Sequence, residues 1–263
     1  MKKISIIMPA YNEAERIAPT LFDYLEFFGE LKKNNKLDFE IAIVLNACKD
    51  NTREVVERFA CDELTILEFE RGGKGFAIVE GWKDALLRDS DFIGFVDADG
   101  ATPAFAFYDL VKNISSCDGV IANRWDKKSK IVVPQSLLRK TLSRGFNFIV
   151  RVLFLFPHRD TQCGAKIFKR GLVEKVYPKL GASEWSFDVD LLFYVRRQGA
   201  RIKSIPTTWH DKKNSKINLK KTPITMFFSA VRLRLMHFPP LRFLVRFYRI
   251  LPKSLKFHNW VRS

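Results

Sequence analysis

Residues 91–100 read DFIGFVDADG, an apolar run that ends in two carboxylates, Asp97 and Asp99, followed by a glycine. The run is rich in β-branched and aromatic residues and predicts a buried strand of an α/β sheet. Open α/β sheets bind ligands at the carboxyl ends of their strands, where both acids fall. Two carboxylates there suit Mg²⁺ or Mn²⁺, together with substrate phosphates. An isolated Asp-x-Asp is more often part of a turn that closes a strand, so the rest of the chain must decide.

Outward from this strand, residues 1–122 alternate strand-like and helix-like segments. The predicted strands are Ile4–Met8, Phe39–Leu45, Leu64–Phe69, Phe92–Val96 and Gly119–Ala122. The predicted helices lie at about 14–33, 51–60, 74–88 and 103–115. This βαβα rhythm predicts a mostly parallel, Rossmann-like sheet with helices on both faces.

After residue 122 the rhythm breaks. Segment 134–156 is apolar but carries several arginines, a combination that suits a phosphate head on a long hydrocarbon chain. The alternative is a buried helix with its charges in solvent. Segments 166–168 and 201–205 look like strands, and segment 187–198 looks like a helix.

The positive charge is concentrated at the carboxyl end. Residues 201–263 hold 15 of the 45 lysines and arginines and a single acid, so this part carries nearly all of the net charge of +16. Residues Pro223–Leu251 pattern as two helices around a Pro-Pro pair, the second with a basic and an apolar face. Segment 219–263 is therefore expected to be a basic amphipathic membrane-interface segment, with docking on its own domain as the alternative.

The sequence also bounds the compartment and the partners. The four cysteines show neither paired nor zinc-type spacing, which favours reduced thiols in the cytoplasm. We find no apolar run of the roughly 18 residues that a spanning helix needs. Zinc-finger and RNA-binding signatures are absent as well, so nucleic acid is not an expected partner. A non-catalytic basic protein that binds membranes or nucleic acid remains an alternative.

Three other strand ends carry polar side chains. The first strand leads to Tyr11 and Glu13, which can stack on a nucleobase and accept its N–H; a turn with a helix cap is the alternative. The second ends in a polar turn, and the third in the loop RGGKGFA at 71–77. Glycines around Lys74 allow close backbone approach to a phosphate, although the loop is not a P-loop and can be merely flexible. Together with the Asp pair, these ends predict a site for a nucleoside diphosphate and a metal ion.

At this point the chain resembles a known family. The motifs PAYNE (9–13), GKG (73–75), DAD (97–99) and SRG (143–145) look like those of the inverting family 2 glycosyltransferases. The motifs DADGAT (97–102), RDTQCGAK (159–166) and FDVDLL (187–192) resemble the dolichyl-phosphate glucosyltransferase branch of the polyprenyl (dolichyl) phosphate glucosyl- and mannosyltransferases. The likeness spans about residues 3–218.

The resemblance implies a GT-A domain over residues 1–218, with a donor half at about 1–122 and an acceptor half at about 123–218. It implies a UDP- or GDP-sugar donor and Mg²⁺ or Mn²⁺. The metal would be ligated by Asp97 and Asp99. The residues expected to bind the nucleotide-sugar are Pro9, Tyr11, Glu13, Asn46, Lys74, Asp97 and Ala98.

The same comparison supplies the acceptor side. Arg124 and Arg139 match positions that hold the acceptor phosphate in the mannosyl branch, and with Asp99 they are the expected catalytic residues. The expected acceptor-binding residues are Arg124, Arg139, Arg144, Gln162, Asp188 and Lys216. Asp188 can alternatively cap or flank a helix.

This chain departs from the family pattern at two places. Many relatives have two acids and a glycine after the second strand, where this chain has Leu45, Asn46 and Ala47. Ala101 cannot supply the further metal ligand that a polar residue provides in some mannosyl relatives. The contact to the base at the second strand and the metal shell are therefore the least settled parts of the site.

The predicted reaction is metal-dependent transfer of a hexose, glucose or mannose, to a polyprenyl (dolichyl) phosphate, with inversion. A lipid phosphate is largely ionised near neutral pH and needs cations to hold it, whereas a hydroxyl acceptor needs a general base. The enzyme is expected in the cytoplasm, peripherally associated with the cytosolic face of a membrane. The alternative is a family 2 enzyme with a saccharide or other hydroxyl acceptor.

Overall fold

The computed structural model describes residues 1–133, 137–180 and 187–210, together with residues 231 and 234. Residues 1–133, 158–180 and 187–210 form one compact unit, and residues 137–157 belong to a second. Apart from residues 231 and 234, the predicted carboxyl-terminal helices lie outside the described residues, as does the predicted boundary after residue 218. In the described part of the chain, no helix combines the length and the apolarity that crossing a bilayer requires.

Most strands of the first unit join one sheet. The strands are β1 Lys3–Ala10, β2 Asp38–Asn46, β3 Leu64–Phe69, β4 Phe92–Phe95, β5 Gly119–Asn123, β6 Lys130–Val133, β7 Lys166–Lys169, β8 Ile202–Pro206 and β9 Thr208–His210. Seven of them form a sheet in the order β3-β2-β1-β4-β7-β5-β8, and β6 pairs with β9. Only β7 is antiparallel to its neighbours in the seven-stranded sheet. The predicted mostly parallel sheet is confirmed.

Helices follow most of the strands. They are α1 Ile17–Lys33, α2 Thr52–Glu57, α3 Lys74–Leu87, α4 Ala104–Lys112, α5 Leu137–Phe154, α6 Arg170–Val176 and α7 Phe187–Arg197. All but α5 belong to the first unit.

The sheet is covered on both faces because its central strands are apolar on both sides. Along β1, Ile4, Ile6 and Met8 pack into a core with α1 and α4, while Ile7 joins a second core with α3, α6 and α7. All four side chains are fully buried. Alternate residues of a strand point to opposite faces, so a near-continuous apolar run marks a strand between two helical layers.

The predicted elements appear with shifted ends, and several short ones were missed. Helix α1 begins at Ile17 instead of about residue 14, and β4 ends at Phe95, one residue early. Strands β6 and β9 and helix α6 had no counterpart in the predictions. They have four, three and seven residues, respectively, which is too few to show a periodicity in the sequence.

Candidate active site

A pocket of about 180 Å³ lies at the carboxyl ends of β1, β2 and β4. It is lined by Pro9, Tyr11, Glu13, Asn46, Lys74, Asp97, Ala98 and Asp99. These are the seven predicted nucleotide-sugar residues plus the second metal carboxylate. The sheet thus gathers in one place residues that lie up to 90 positions apart in the chain.

A larger cavity, of about 870 Å³, lies at the opposite edge of the sheet. Several of its lysines and arginines are already paired. Lys2 binds Asp91 at 2.5 Å, and Arg170 binds Glu174 at 2.9 Å. This edge holds the amino ends of the parallel strands, whereas α/β sheets bind ligands at their carboxyl ends. The smaller pocket is therefore the candidate active site.

Asn46, the last residue of β2, ties two of the strand ends together. Its side-chain amide donates to the Ala10 carbonyl at 2.8 Å, and its Oδ1 accepts the Gly73 N–H at 3.1 Å. Gly73 has φ 125°, a conformation that side chains rarely tolerate, and it precedes Lys74 at the start of α3. Asn46 therefore fixes the loop that presents Lys74.

The loop after β1 presents Tyr11 and Glu13. Tyr11 is exposed, so its ring is accessible to a ligand. Glu13 holds Arg16 through two hydrogen bonds, at 2.8 and 2.6 Å, and its own N–H donates to Thr52 Oγ1 at 2.8 Å. These contacts fix the loop beside the pocket.

The two carboxylates after β4 have different surroundings. Asp97 Oδ1 forms an ion pair with the Lys74 ammonium. Asp99 Oδ1 accepts the Ala101 N–H at 3.0 Å. Burial, followed by the negative charge of Asp97, raises the pKa of Asp99 above its ordinary value. Burial lowers the pKa of Lys74, but attraction by Asp97 and by Asp188 outweighs it, so that pKa lies above its ordinary value.

Side chains of helix α1 form hydrogen bonds with the loop that follows β4 and carries Asp97 and Asp99. Thr20 Oγ1 donates to the Ala98 carbonyl at 3.0 Å, and the Tyr24 hydroxyl donates to the Thr102 carbonyl at 3.0 Å. Asp23 Oδ2 accepts the N–H of Ala104, the first residue of α4, at 2.7 Å. Sequence reasoning missed these three side chains. The sequence feature that could have indicated them is the close spacing of these three polar side chains on or beside the buried face of a predicted helix.

A profile described as "Glycosyl transferase family 2" matches residues 5–177. The chain belongs to glycosyl transferase family 2. It is therefore a glycosyltransferase, and the alternative of a non-catalytic basic protein is set aside.

Named relatives of this family 2 chain are similar over most of its length. It is 31% identical over 243 residues to the dolichyl-phosphate beta-glucosyltransferase of Dictyostelium discoideum, covering 88% of this chain and 73% of that one. It is 30% identical over 256 residues to the enzyme of the same name from Saccharomyces cerevisiae, covering 88% and 74%.

Solved structures share the fold of the family 2 domain. Glucosyl-3-phosphoglycerate synthase of Mycobacterium tuberculosis, solved with Mn²⁺, UDP and glucosyl-3-phosphoglycerate, matches with a TM-score of 0.64 at 15% identity, over 89% of this chain and 80% of that one. Mannosyl-3-phosphoglycerate synthase of Rubrobacter xylanophilus matches with a TM-score of 0.63 at 15% identity, over 97% and 78%. The predicted GT-A fold is confirmed.

The acidic pair has the donor chemistry of a divalent cation site of a family 2 enzyme. Burial and, after it, the charge of Asp97 raise the pKa of Asp99, and a hard cation would stabilise both carboxylates together. Within the described ranges, no group of three or more histidine, cysteine or acidic side chains is placed to hold a metal. Ala101 makes its hydrogen bonds through its backbone N–H and carbonyl. The two carboxylates therefore fit part of the ligand shell of a divalent cation.

Gly164, in the loop before β7, packs directly against the Asp97 carboxylate. A Cβ atom built on Gly164 would overlap Oδ2 and Cγ of Asp97. Sequence reasoning quoted this glycine within a motif but gave it no role. A larger residue at position 164 would therefore fit only if the Asp97 side chain moved.

We expect Gly164→Ala to push the Asp97 side chain from its place and to lower the rate of sugar transfer about 100-fold, since an error of about 1 Å in a reacting group can cost that much. Gly171→Ala is the matched control, because a Cβ there meets nothing within 4 Å. Initial rates and thermal unfolding of both variants check this. Full activity of Gly164→Ala would contradict it.

Arg124 lies in a buried ion pair. Its Nε and Nη2 donate to the two carboxylate oxygens of Asp160 at 2.7 and 2.9 Å, and its backbone N–H donates to Asp160 Oδ2 at 3.0 Å. The Gln162 N–H also donates to Asp160, at 3.2 Å. Burial raises the pKa of Asp160, but the Arg124 guanidinium outweighs it and holds that pKa below its ordinary value. The pair anchors residues 160–164 beside the pocket.

Asp188, at the start of α7, is paired as well. The ammonium of Lys166, which is fully buried, binds Asp188 Oδ1 at 2.5 Å and donates to the Cys163 carbonyl at 2.6 Å. Sequence reasoning missed Lys166, because a lysine in a strand gives no sign of its partner 22 positions away.

The remaining predicted acceptor residues are placed only in part. Arg139 and Arg144 lie in helix α5 of the second unit, where Arg144 is exposed and the side chain at position 139 lies outside the described part. Lys216 lies outside the described residues.

Proposed function

We propose that this glycosyltransferase moves glucose from UDP-glucose to a polyprenyl phosphate such as dolichyl phosphate, with inversion at the anomeric carbon. One observation carries the proposal: a single pocket combines an exposed aromatic, an ammonium and a pair of carboxylates at the strand ends. The names of the similar enzymes from Dictyostelium and yeast support glucose and dolichyl phosphate. The neighbour solved with UDP and Mn²⁺ supports the uridine nucleotide and the divalent cation.

The pocket residues divide by chemistry. Tyr11 offers a ring for the uracil base, and Glu13 and Asn46 offer oxygen acceptors beside it. Lys74 and the Asp97–Asp99 pair face the place where a diphosphate would lie. Asp97 and Asp99 would hold Mg²⁺ or Mn²⁺, which supplies Lewis-acid stabilisation of the departing nucleotide.

In the proposed reaction, an oxygen of the lipid phosphate attacks the anomeric carbon from the face opposite UDP. A new carbon–oxygen bond forms to the lipid phosphate while the bond to the β-phosphate of UDP breaks, and its electron pair leaves with UDP. Lys74 stabilises the charge that develops on the leaving diphosphate. No proton has to be removed from the acceptor, because the phosphate oxygen is already ionised.

Two carboxylates near the pocket, Asp160 and Asp188, are poor candidates for the general base that a hydroxyl acceptor needs. Asp160 and Asp188 are both paired with cations, and the pKa of Asp160 lies below its ordinary value. A carboxylate held ionised in this way is a weak general base, and a hydroxyl acceptor needs a competent one. This supports a lipid phosphate over a saccharide.

We also propose that the enzyme works at the cytosolic face of a membrane. A polyprenyl acceptor is a lipid, and the excess of basic residues in 219–263 would bind anionic head groups. Nucleic acid is not a proposed partner.

The assay supplies the purified enzyme with dolichyl phosphate in detergent and, separately, with radiolabelled UDP-glucose and GDP-mannose, each with Mn²⁺ or Mg²⁺. We expect a glucolipid from UDP-glucose, lost on adding a chelator. A mannolipid from GDP-mannose would correct the donor. Failure to form any lipid-linked product would overturn the proposal.

Replacing Arg139 tests the acceptor class. If Arg139 holds the lipid phosphate, Arg139→Ala should raise the KM for dolichyl phosphate about tenfold or more, since it removes a hydrogen bond to a charged group. The KM for UDP-glucose should not change. Arg53→Ala is the control, because Arg53 pairs with Glu57 and Glu68 on the protein surface. An unchanged KM for dolichyl phosphate in Arg139→Ala would favour the hydroxyl acceptor. Transfer to neutral saccharides by Arg139→Ala at the same rate as by the wild type would favour it too.

A further inference from the structure

The Lys74 ammonium binds one of the two carboxylates of the predicted metal site. The Lys74 ammonium is paired with Oδ1 of Asp97, and both side chains are about one-third exposed, at 33% and 38%. Both line the candidate pocket. The ion pair therefore lies where a divalent cation would bind.

The two oxygens of Asp97 have different neighbours. Oδ2 lies nearer than Oδ1 to the backbone of Gly164, and a Cβ atom built there would overlap Oδ2. Oδ1 is the oxygen that binds the Lys74 ammonium. A cation bound at Oδ1 would place a second positive charge beside the Lys74 ammonium, and the repulsion between the two charges would weaken the ion pair.

The surroundings keep the Lys74 ammonium near the pocket once it leaves Asp97. Lys74 begins α3, and the next residue, Gly75, packs against Phe187 at the start of α7. The carboxylate that follows Phe187, Asp188, is already paired with the buried ammonium of Lys166. A ligand phosphate in the pocket is then the natural partner for Lys74.

We propose that Lys74 is an internal counter-ion of the acidic pair, which a divalent cation displaces from Asp97 and which then binds the donor diphosphate. This inference rests on the proposed metal-dependent function and deepens it. In this scheme the protein neutralises its own carboxylates without metal. Metal and nucleotide then bind better together than either does alone, because each takes one partner of the broken ion pair.

The first test is calorimetric titration with Mn²⁺ alone, without nucleotide. Lys74→Met removes the competing ammonium, so the variant should bind Mn²⁺ about fivefold more tightly than the wild type; we discount the full Coulomb energy because the pair is partly exposed. With Mn²⁺ present, the same variant should bind UDP more weakly. Lys83→Met is the matched control on the same helix, since Lys83 pairs with Glu80 at the surface, and it should match the wild type in both titrations.

The second test uses the unaltered protein and so does not depend on a variant folding. Lys74 should become more reactive toward an amine-acetylating reagent when Mn²⁺ is added without nucleotide, as read by mass spectrometry, while Lys83 should not change. Equal Mn²⁺ affinity of wild type and Lys74→Met, or unchanged labelling of Lys74 in metal-bound protein, overturns the exchange and leaves the metal site standing. If the wild type binds no Mn²⁺ even with UDP, both the exchange and the metal dependence fall.

Discussion

Asp99→Asn should lower the proposed metal-dependent glucosyl transfer by about 1,000-fold, because a bound cation would supply several kcal/mol of charge stabilisation and the variant would lose a charged ligand. The amide has the same shape, and its oxygen can still accept the Ala101 N–H that Asp99 Oδ1 accepts. The loop should keep its conformation. The loss is therefore expected in the rate and in Mn²⁺-dependent UDP binding, not in the fold.

The same variant should unfold at a higher temperature than the wild type at neutral pH. The pKa of Asp99 is raised by burial and by Asp97, so folding disfavours its ionised form, and a neutral side chain removes that cost. Asp109→Asn is the control, since Asp109 lies on α4 and pairs with Lys112 at the surface. Thermal scans and Mn²⁺ titrations of the rate measure both effects. Wild-type turnover by Asp99→Asn would remove the acidic pair from the mechanism.

The common position of the pocket residues could be predicted because each lies at or after the carboxyl end of a strand, whereas the roles of Pro9, Asn46 and Ala98 came from the family resemblance. Carboxyl ends of parallel strands meet at one edge, so once the βαβα rhythm is recognised, Glu13, Lys74 and Asp97 are expected at a common edge. No distance in the chain has to be guessed for this step. The structure places all seven predicted nucleotide-sugar residues around one pocket.

The supports of the pocket could not be predicted in this way. Lys166 and Asp188 meet only because β7 inserts antiparallel between β4 and β5. Strand β7 has four residues, too few for its sequence pattern to predict its direction or its neighbours in the sheet. The role of Gly164 could not be predicted either. It depends on the distance between the Gly164 backbone and the Asp97 carboxylate, which the sequence pattern does not indicate.

The site also explains one departure from the family pattern. Ala47 follows β2 with φ 54°, in the left-handed region that glycine adopts easily. The glycine of the family pattern would adopt this backbone conformation without strain. The nearby Asn46 binds both neighbouring loops, which is a structural reason for its place at the strand end.

Asp160→Asn should lower the free energy of unfolding by about 3–5 kcal/mol, because it leaves the Arg124 guanidinium largely buried without a counter-charge. Asp160 is fully buried and the Arg124 side chain is 14% exposed, so solvent cannot replace the lost partner. In a protein of this size the loss corresponds to a fall in Tm on the order of 10 °C. Glu174→Gln is the control, since its pair with Arg170 is exposed and should matter by less than about 1 kcal/mol.

A double substitution tests whether the loss of stability comes from the interaction between Arg124 and Asp160. Arg124→Met combined with Asp160→Asn removes both charges and should recover much of the stability that Asp160→Asn alone loses. Simple addition of the two single losses would show that the residues do not interact. Activity should remain low in the double variant even so, because Asp160 also anchors the loop that brings Gly164 against Asp97.

The effect of Asp160 should also depend on pH with a definite sign. Its pKa is lower in the folded protein than in the unfolded chain, so its stabilisation is present above the unfolded value of about 4 and is lost as the pH falls through the folded value. The difference in Tm between wild type and Asp160→Asn should therefore be constant from about pH 5 to 7 and shrink below about pH 4. A gap that widened on acidification would mean that Arg124 does not hold Asp160 ionised, and the anchor of the pocket would have to be sought elsewhere.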